Sequence, residues 1–189
     1  MNVVVHEKKR VFDGFFKIDR SVVSYDGEHG RVENAPFEVF ERGESAAVLL
    51  HHVKRNQVIF TEQFRFPTYE KGPGWMLEVA AGSIDPGETP EECVRREVRE
   101  ELGYEIEALR FIARFYVSPG GSSERVHLYY CAVADGDWKD PEAHGLASAH
   151  EQVTRVVWEV GEFCDAAENG QFQDAKSIIA ALWLRHGDI

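Results

Sequence analysis

The run of apolar and polar positions divides the chain into a β-rich first part, one charged helix, and a helical end. Residues 3–42 read as β structure. Strand-like runs lie at Val11–Ile18, Val22–Tyr25 and Phe37–Phe40, with turns at Asp26-Gly27 and His29-Gly30. Arg42-Gly43 ends this segment. The apolar runs Ala46–Leu50 and Val58–Glu62 then flank the polar turn Lys54-Arg55-Asn56 and predict a hairpin. A loop carrying Lys71-Gly72-Pro73-Gly74 precedes a strand over Trp75–Ala81 that leads into Gly82. Further strands are predicted over Leu109–Tyr116, Val126–Val133 and Val153–Glu159. Helices are predicted over Val160–Glu168, stopped by Asn169-Gly170, and over Asp174–Leu184. Many strands, one helix, more strands and then helices make an α+β fold, with helices packed on a mixed sheet.

The one internal helix is unusually rich in Glu and Arg. Thr89-Pro90-Glu91-Glu92 is a helix start: Thr89 as N-cap, Pro90 at the first helical position, Glu92 completing a capping box. Gly103 is the natural stop. At 100° per residue, Glu97 and Glu101 share a face with Glu100 beside them, and Val94, Val98 and Leu102 form the adjoining apolar stripe. Three carboxylates held together beside a buried stripe repel one another; a hard divalent cation with oxygen ligands would relieve that repulsion, and a solvated acidic face is the other reading of such a helix taken alone.

Composition narrows the function. The chain has 189 residues, 43% of them hydrophobic, enough for one compact domain with a small appendage. A net charge of −12 opposes nucleic acid and anionic membranes as partners, and no basic run longer than Lys8-Lys9-Arg10 counters it. The three cysteines, Cys93, Cys131 and Cys164, are widely spaced and read as reduced thiols of a cytoplasmic protein. The short Val3-Val4-Val5 run predicts neither a signal peptide nor a membrane span.

Gly82, Glu88, Arg96-Glu97-Val98, Glu100-Glu101 and Gly103-Tyr104, at their spacings, resemble the Nudix box, the signature of the Nudix hydrolases. Tyr104 is the one departure, where the family usually has an aliphatic residue. The resemblance implies a Nudix fold: a mixed β-sheet sandwiched by helices (α/β/α) over residues 44–189, preceded by a small N-terminal antiparallel sheet over 1–43. It also implies Mg²⁺, with Mn²⁺ as the substitute. The metal ligands would be Glu97, Glu101, the Ala81 backbone carbonyl and Glu151, with Glu100 and Arg96 counted in the catalytic group. Arg96 is better suited to orienting a glutamate than to touching substrate, and Glu88 to supporting the loop.

Four further stretches resemble the ADP-ribose pyrophosphatase subfamily: Gly14-Phe15-Phe16, Phe40-Glu41-Arg42-Gly43, Glu62-Gln63-Phe64-Arg65 and Ser118-Pro119-Gly120-Gly121-Ser122-Ser123-Glu124, with Pro119 fifteen residues past Tyr104. This implies a nucleotide-sugar substrate, ADP-ribose first, held by Phe15, Phe16, Glu38, Arg42, Arg65, Ser118 and Glu124. It also implies a homodimer that exchanges its N-terminal sheet. Phe15 and Phe16 would face opposite sides of a strand, one into a core and one towards a base or a partner. Arg42 and Arg65 each offer a fork to phosphate. Phe37, where the ADP-ribose enzymes can present a basic residue, keeps GDP-mannose as an alternative substrate. A non-catalytic nucleotide sensor is the alternative of another class, and retention of Glu97, Glu100 and Glu101 opposes it. The resemblance implies a general base on the late acidic loop, here the stretch 135–150 and its end: Glu151 serves as base, or it binds metal and His150 or Glu142 is the base.

Overall fold

A computed structural model describes residues 2–137 and 152–187 of the protein. These form two compact units. One comprises the described residues up to Glu44 together with Tyr116–Arg125; the other comprises the remaining described residues. The segment 116–125 thus joins the N-terminal unit across a long stretch of sequence, which a linear division at residue 43 does not contain.

The first unit is built on an antiparallel sheet of β1 (Val3–Asp13), β2 (Lys17–Gly27) and β3 (Gly30–Glu41), in that order. The β2–β3 hairpin closes at Gly27↔Gly30, as its glycines predict. The strand expected over Val11–Ile18 is corrected: the chain reverses within it. β1 stops at Asp13 and β2 begins at Lys17, with the Gly14 N–H donating to the Phe16 carbonyl at 3.0 Å. The apolar run continues through the bend, so the pattern alone does not reveal it. β2 and β3 also run well beyond their apolar cores. Cross-strand pairs such as Arg20 with Glu38, 2.6 Å apart, accompany the charged portions.

The buried side chains of this sheet are polar. Asp19, Ser21 and Ser24 are inaccessible, while β1 is exposed along its whole length. Ser24 Oγ meets His6 Nε2 at 2.7 Å and accepts the Asn34 N–H at 3.0 Å. The Arg10 guanidinium and the Lys8 ammonium hold the Asp19 carboxyl below the usual carboxylate range.

The second unit carries a large mixed sheet of β4 (Glu44–His52), β5 (Gln57–Phe64), β6 (Trp75–Glu78), β7 (Ala80–Ser83), β8 (Arg110–Tyr116), β9 (Arg125–Val133) and β10 (Val153–Glu159). The strand order is β10-β5-β4-β9-β8, with β6 on β5 and β7 on β4. The single strand expected over Trp75–Ala81 therefore divides. Glu78 pairs with Thr61 of β5, Ala80 pairs with Val48 of β4, and Val79 sits at the switch. The helices are a short α1 (Phe66–Tyr69) just before the Lys71-Gly72-Pro73-Gly74 loop, α2 (Pro90–Glu97), α3 (Val160–Glu168) and α4 (Ala175–His186).

β4 explains the layering. Ala46, Val48 and Leu50 point to one face, where Val94 of α2 and Val98 and Leu102 beyond it are buried. Ala47 and Leu49 point to the other, against Phe60, Phe163 of α3 and Ala180 and Leu184 of α4. Each large apolar side chain so buried stabilises the fold by about 1.5–3 kcal/mol. The result is the expected α/β/α sandwich.

Candidate functional site

The signature segment is assembled from local rules. Thr89 Oγ1 accepts the Glu92 N–H at 3.2 Å, and Glu92 Oε2 accepts the Thr89 N–H at 2.8 Å, which is the predicted capping box. Gly103 ends the segment at φ 73°, a left-handed conformation that suits glycine. The expected 100° step, however, holds only as far as Glu97. Val98–Leu102 forms a wider π-helical turn, and the Tyr104 N–H reaches back to the Val98 carbonyl at 3.4 Å. Glu97, Glu100 and Glu101 are therefore not spaced as on an α-helix. Such turns are frequent at functional sites.

Gly82, at the end of β7, packs directly on this helix. A Cβ placed there would overlap the Glu97 carboxylate, so a side chain at this position would have to displace that carboxylate; the backbone angle does not itself call for glycine. Arg96 ties loop to helix. Its Nε and Nη2 donate to the two carboxylate oxygens of Glu88 at 2.9 and 3.0 Å, and Nη2 also reaches the Ser83 carbonyl at 3.2 Å. Its Nη1 donates to Glu97 Oε1 at 2.7 Å and lies 3.5 Å from Glu100 Oε2. The same arginine leaves its two main partners with opposite titration behaviour. The fork to Arg96 pulls Glu88 down to about 2, whereas burial pushes Glu97 up against the opposing pull of the guanidinium. Cys93 is buried behind the loop, with Sγ 3.4 Å from the Ser83 carbonyl, and burial pushes its thiol up to about 12.

The donor chemistry would suit a hard divalent ion: Glu97, Glu101, Glu100 and the Ala81 carbonyl offer oxygen donors, and the Gly82 backbone leaves room beside Glu97. Glu101 contributes a carboxylate oxygen that is buried. Among the described residues, no three His, Cys, Asp or Glu side chains already converge as a metal cage. Arg96, bonded to Glu97 and close to Glu100, supplies positive charge there. Glu151, His150 and Glu142 lie outside the described residues.

The remaining candidates fall into separate groups. Within the first unit, Phe16, Arg42 and Glu124 come together. The Arg42 guanidinium lies 4.8 Å from the Phe16 ring centroid and its Nε donates to Glu124 Oε2 at 3.3 Å. The 118–124 loop is hydrogen-bonded to β3, with the Phe40 N–H on the Gly121 carbonyl at 2.8 Å and the Ser123 N–H on the Phe40 carbonyl at 3.1 Å. The Ser118 carbonyl accepts the Ser122 N–H at 2.9 Å and closes the loop. Phe15 and Phe16 stand in the bend, not in a strand. Phe15 is 93% exposed and Phe16 packs edge-on to Phe40. Glu38 is engaged by Arg20 on the sheet.

In the second unit, Arg65 donates to both oxygens of buried Glu78 at 3.1 Å each. Glu78 also meets Lys176 at 3.4 Å, and Lys176 meets Asp174 at 2.6 Å. This buried ionic group escaped the sequence reading. Its signal was present: a lone Glu inside the apolar run Trp75–Ala81 requires a buried partner, and Asp174-x-x-Ser177 is a helix cap.

A family model described as NUDIX domain matches residues 41–180. The chain belongs to the Nudix family. Among its relatives, a GDP-mannose pyrophosphatase of Pectobacterium atrosepticum is 34% identical over 185 residues, covering 97% of this chain and 92% of that protein. A GDP-mannose pyrophosphatase of Cronobacter sakazakii is 30% identical over 188 residues, covering 98% and 95%. A crystal structure of an ADP compounds hydrolase superposes with a TM-score of 0.74 at 19% identity, covering 98% of this Nudix chain and 93% of the other, and shares its fold.

Proposed function

We propose that this Nudix protein hydrolyses the pyrophosphate of a nucleoside diphosphate sugar, with GDP-mannose as the leading substrate. The observation that carries the reading is the whole-length similarity to GDP-mannose pyrophosphatases, which takes in the first unit as well as the signature segment. ADP-ribose, favoured by the Phe15-Phe16 and Ser122-Ser123-Glu124 stretches, is the second reading. Physical chemistry explains why those stretches do not decide between the two. An exposed Phe stacks on any purine, because every base has a π-face. Discrimination needs hydrogen bonds to the base edge.

In either case water adds to one phosphorus and the P–O–P bond breaks. GDP-mannose yields GMP and mannose 1-phosphate; ADP-ribose yields AMP and ribose 5-phosphate. A divalent ion bound by Glu97, Glu101 and the Ala81 carbonyl would neutralise the pyrophosphate and make a bound water more acidic. Arg96 holds the Glu97 carboxylate in place. Arg42 supplies a fork to phosphate and Glu124 accepts from ribose hydroxyls. Glu151 takes the proton from water. Exposed Val3, Val5, Val11 and Phe12 on β1 support a homodimer through this sheet. The three cysteines, free and buried, support a cytoplasmic setting. No helix of the described residues is long and apolar enough to cross a membrane.

The test is a panel of GDP-mannose, ADP-ribose and other nucleoside diphosphate sugars with Mg²⁺ or Mn²⁺, with products separated. Preferred release of GMP is expected. Preferred release of AMP promotes the second reading, and no turnover of any compound overturns both.

A further inference from the structure

The peptide that joins β6 to β7 is held from both sides by side chains. The Glu78 carbonyl accepts the Thr61 hydroxyl at 3.2 Å, and the Val79 N–H donates to Ser177 Oγ at 3.0 Å. Ser177 is fully buried in the first turn of α4, 98 residues away in sequence. Its hydroxyl proton goes to Asp174 Oδ2 at 2.7 Å, which leaves the oxygen's lone pairs for Val79. Asp174 is itself fixed twice: it caps α4 by accepting the Ser177 N–H at 3.0 Å, and it meets Lys176 at 2.6 Å. Lys176 reaches on to Glu78, the residue before the clamped N–H.

Position gives this arrangement its consequence. At Val79 the chain leaves β5 for β4, and β7 is only four residues long, pairing with Ser45–Val48. Gly82 follows three residues after the clamp and sits where a single added carbon would overlap the Glu97 carboxylate. A short strand with so little ladder takes its placement from its two ends. Downstream that end is the Glu88–Arg96 fork; upstream it is the clamped peptide.

We propose that Ser177, oriented by Asp174, is a positioning residue for the metal cradle: it fixes the strand switch at Val79 and so the approach of the Ala81–Gly82 backbone to Glu97. This rests on the metal reading of the signature segment. It assigns a role to a residue of α4, a helix on the opposite face of the sheet from the carboxylates.

The test measures Mn²⁺ binding from the free-ion electron paramagnetic resonance signal, without substrate, together with thermal melting. Ser177→Ala is expected to raise the Mn²⁺ concentration for half-saturation about tenfold, the scale on which outer-shell partners act. Phe163→Leu, in the same helical layer but away from the clamp, is the control. It should lower the melting temperature and leave Mn²⁺ binding at the native level. Ser177→Cys, the second variant should Ser177→Ala fail to fold, keeps the shape with a weaker acceptor and should shift binding in the same direction by less. Native half-saturation in a folded Ser177→Ala or Ser177→Cys protein overturns the positioning role, as does an equal shift in Phe163→Leu. Failure of the native protein to bind Mn²⁺ overturns the metal reading itself, a result distinguishable from the other two.

Discussion

The second unit buries Val48, Leu49, Leu50 and Phe60 between helices, whereas the first unit buries Asp19, Ser21 and Ser24 and leaves the valines of β1 in the open. Neither apolar cluster contains a residue of the first unit. A sheet stabilised by ladder hydrogen bonds and ion pairs, with its apolar residues outside, is suited to meeting another surface. A sheet with apolar layers on both faces is suited to holding a rigid site. The carboxylates of the signature segment are on the second unit, and the Phe16–Arg42–Glu124 group is on the first.

Four substitutions sharpen or break this contrast. Glu101→Gln, in the rigid unit, should lower kcat at least about a hundredfold with the fold intact, the scale of losing a catalytic electrostatic group. Steady-state kinetics with circular dichroism checks it, and an unchanged rate removes Glu101 from the site. Gly82→Ala should act on stability as well as rate. The new methyl displaces the Glu97 carboxylate at a cost of about 1–3 kcal/mol, visible as a lower melting temperature together with weaker metal binding. Arg42→Ala, in the first unit, should raise KM about tenfold, the loss of one hydrogen bond to a charged group, with melting hardly changed. A fall in kcat at constant KM would instead place Arg42 with the chemistry.

The smallest effect is confined to acid. The folded protein holds Glu88 at about 2 against an ordinary value of 4.5. The stabilisation from its ionised form is therefore present above pH 4.5 and is lost as pH falls towards 2. Glu88→Gln should flatten that part of the melting-versus-pH curve, and an identical acid limb in both proteins would show that the Arg96 fork contributes nothing.

Much of the local structure of the signature segment was legible because its rules are local. A capping box spans Thr89 to Glu92, and the Gly82, Glu88 and Arg96-Glu97 spacing lies on one strand, the loop after it and one helix. The π-helical turn at Val98–Leu102 was not legible, since Val98 and Leu102 suit an α-helical stripe equally well. Phe15 and Phe16 misled for the opposite reason: two adjacent aromatics extend an apolar run through the bend at 14–16.

The sequence by itself determined the family, the α/β/α layering and the helix caps, because each depends on residues within a few turns or on a regular alternation. Only the tertiary structure decided that the strand before Gly82 divides at Val79, that Arg65 meets Glu78, and that the 118–124 loop joins β3. Those outcomes depend on partners far apart in the chain, such as Ser177 for Val79 and Gly121 for Phe40. A buried N–H or carboxylate must be paired, but its own neighbourhood in sequence does not say by which distant group.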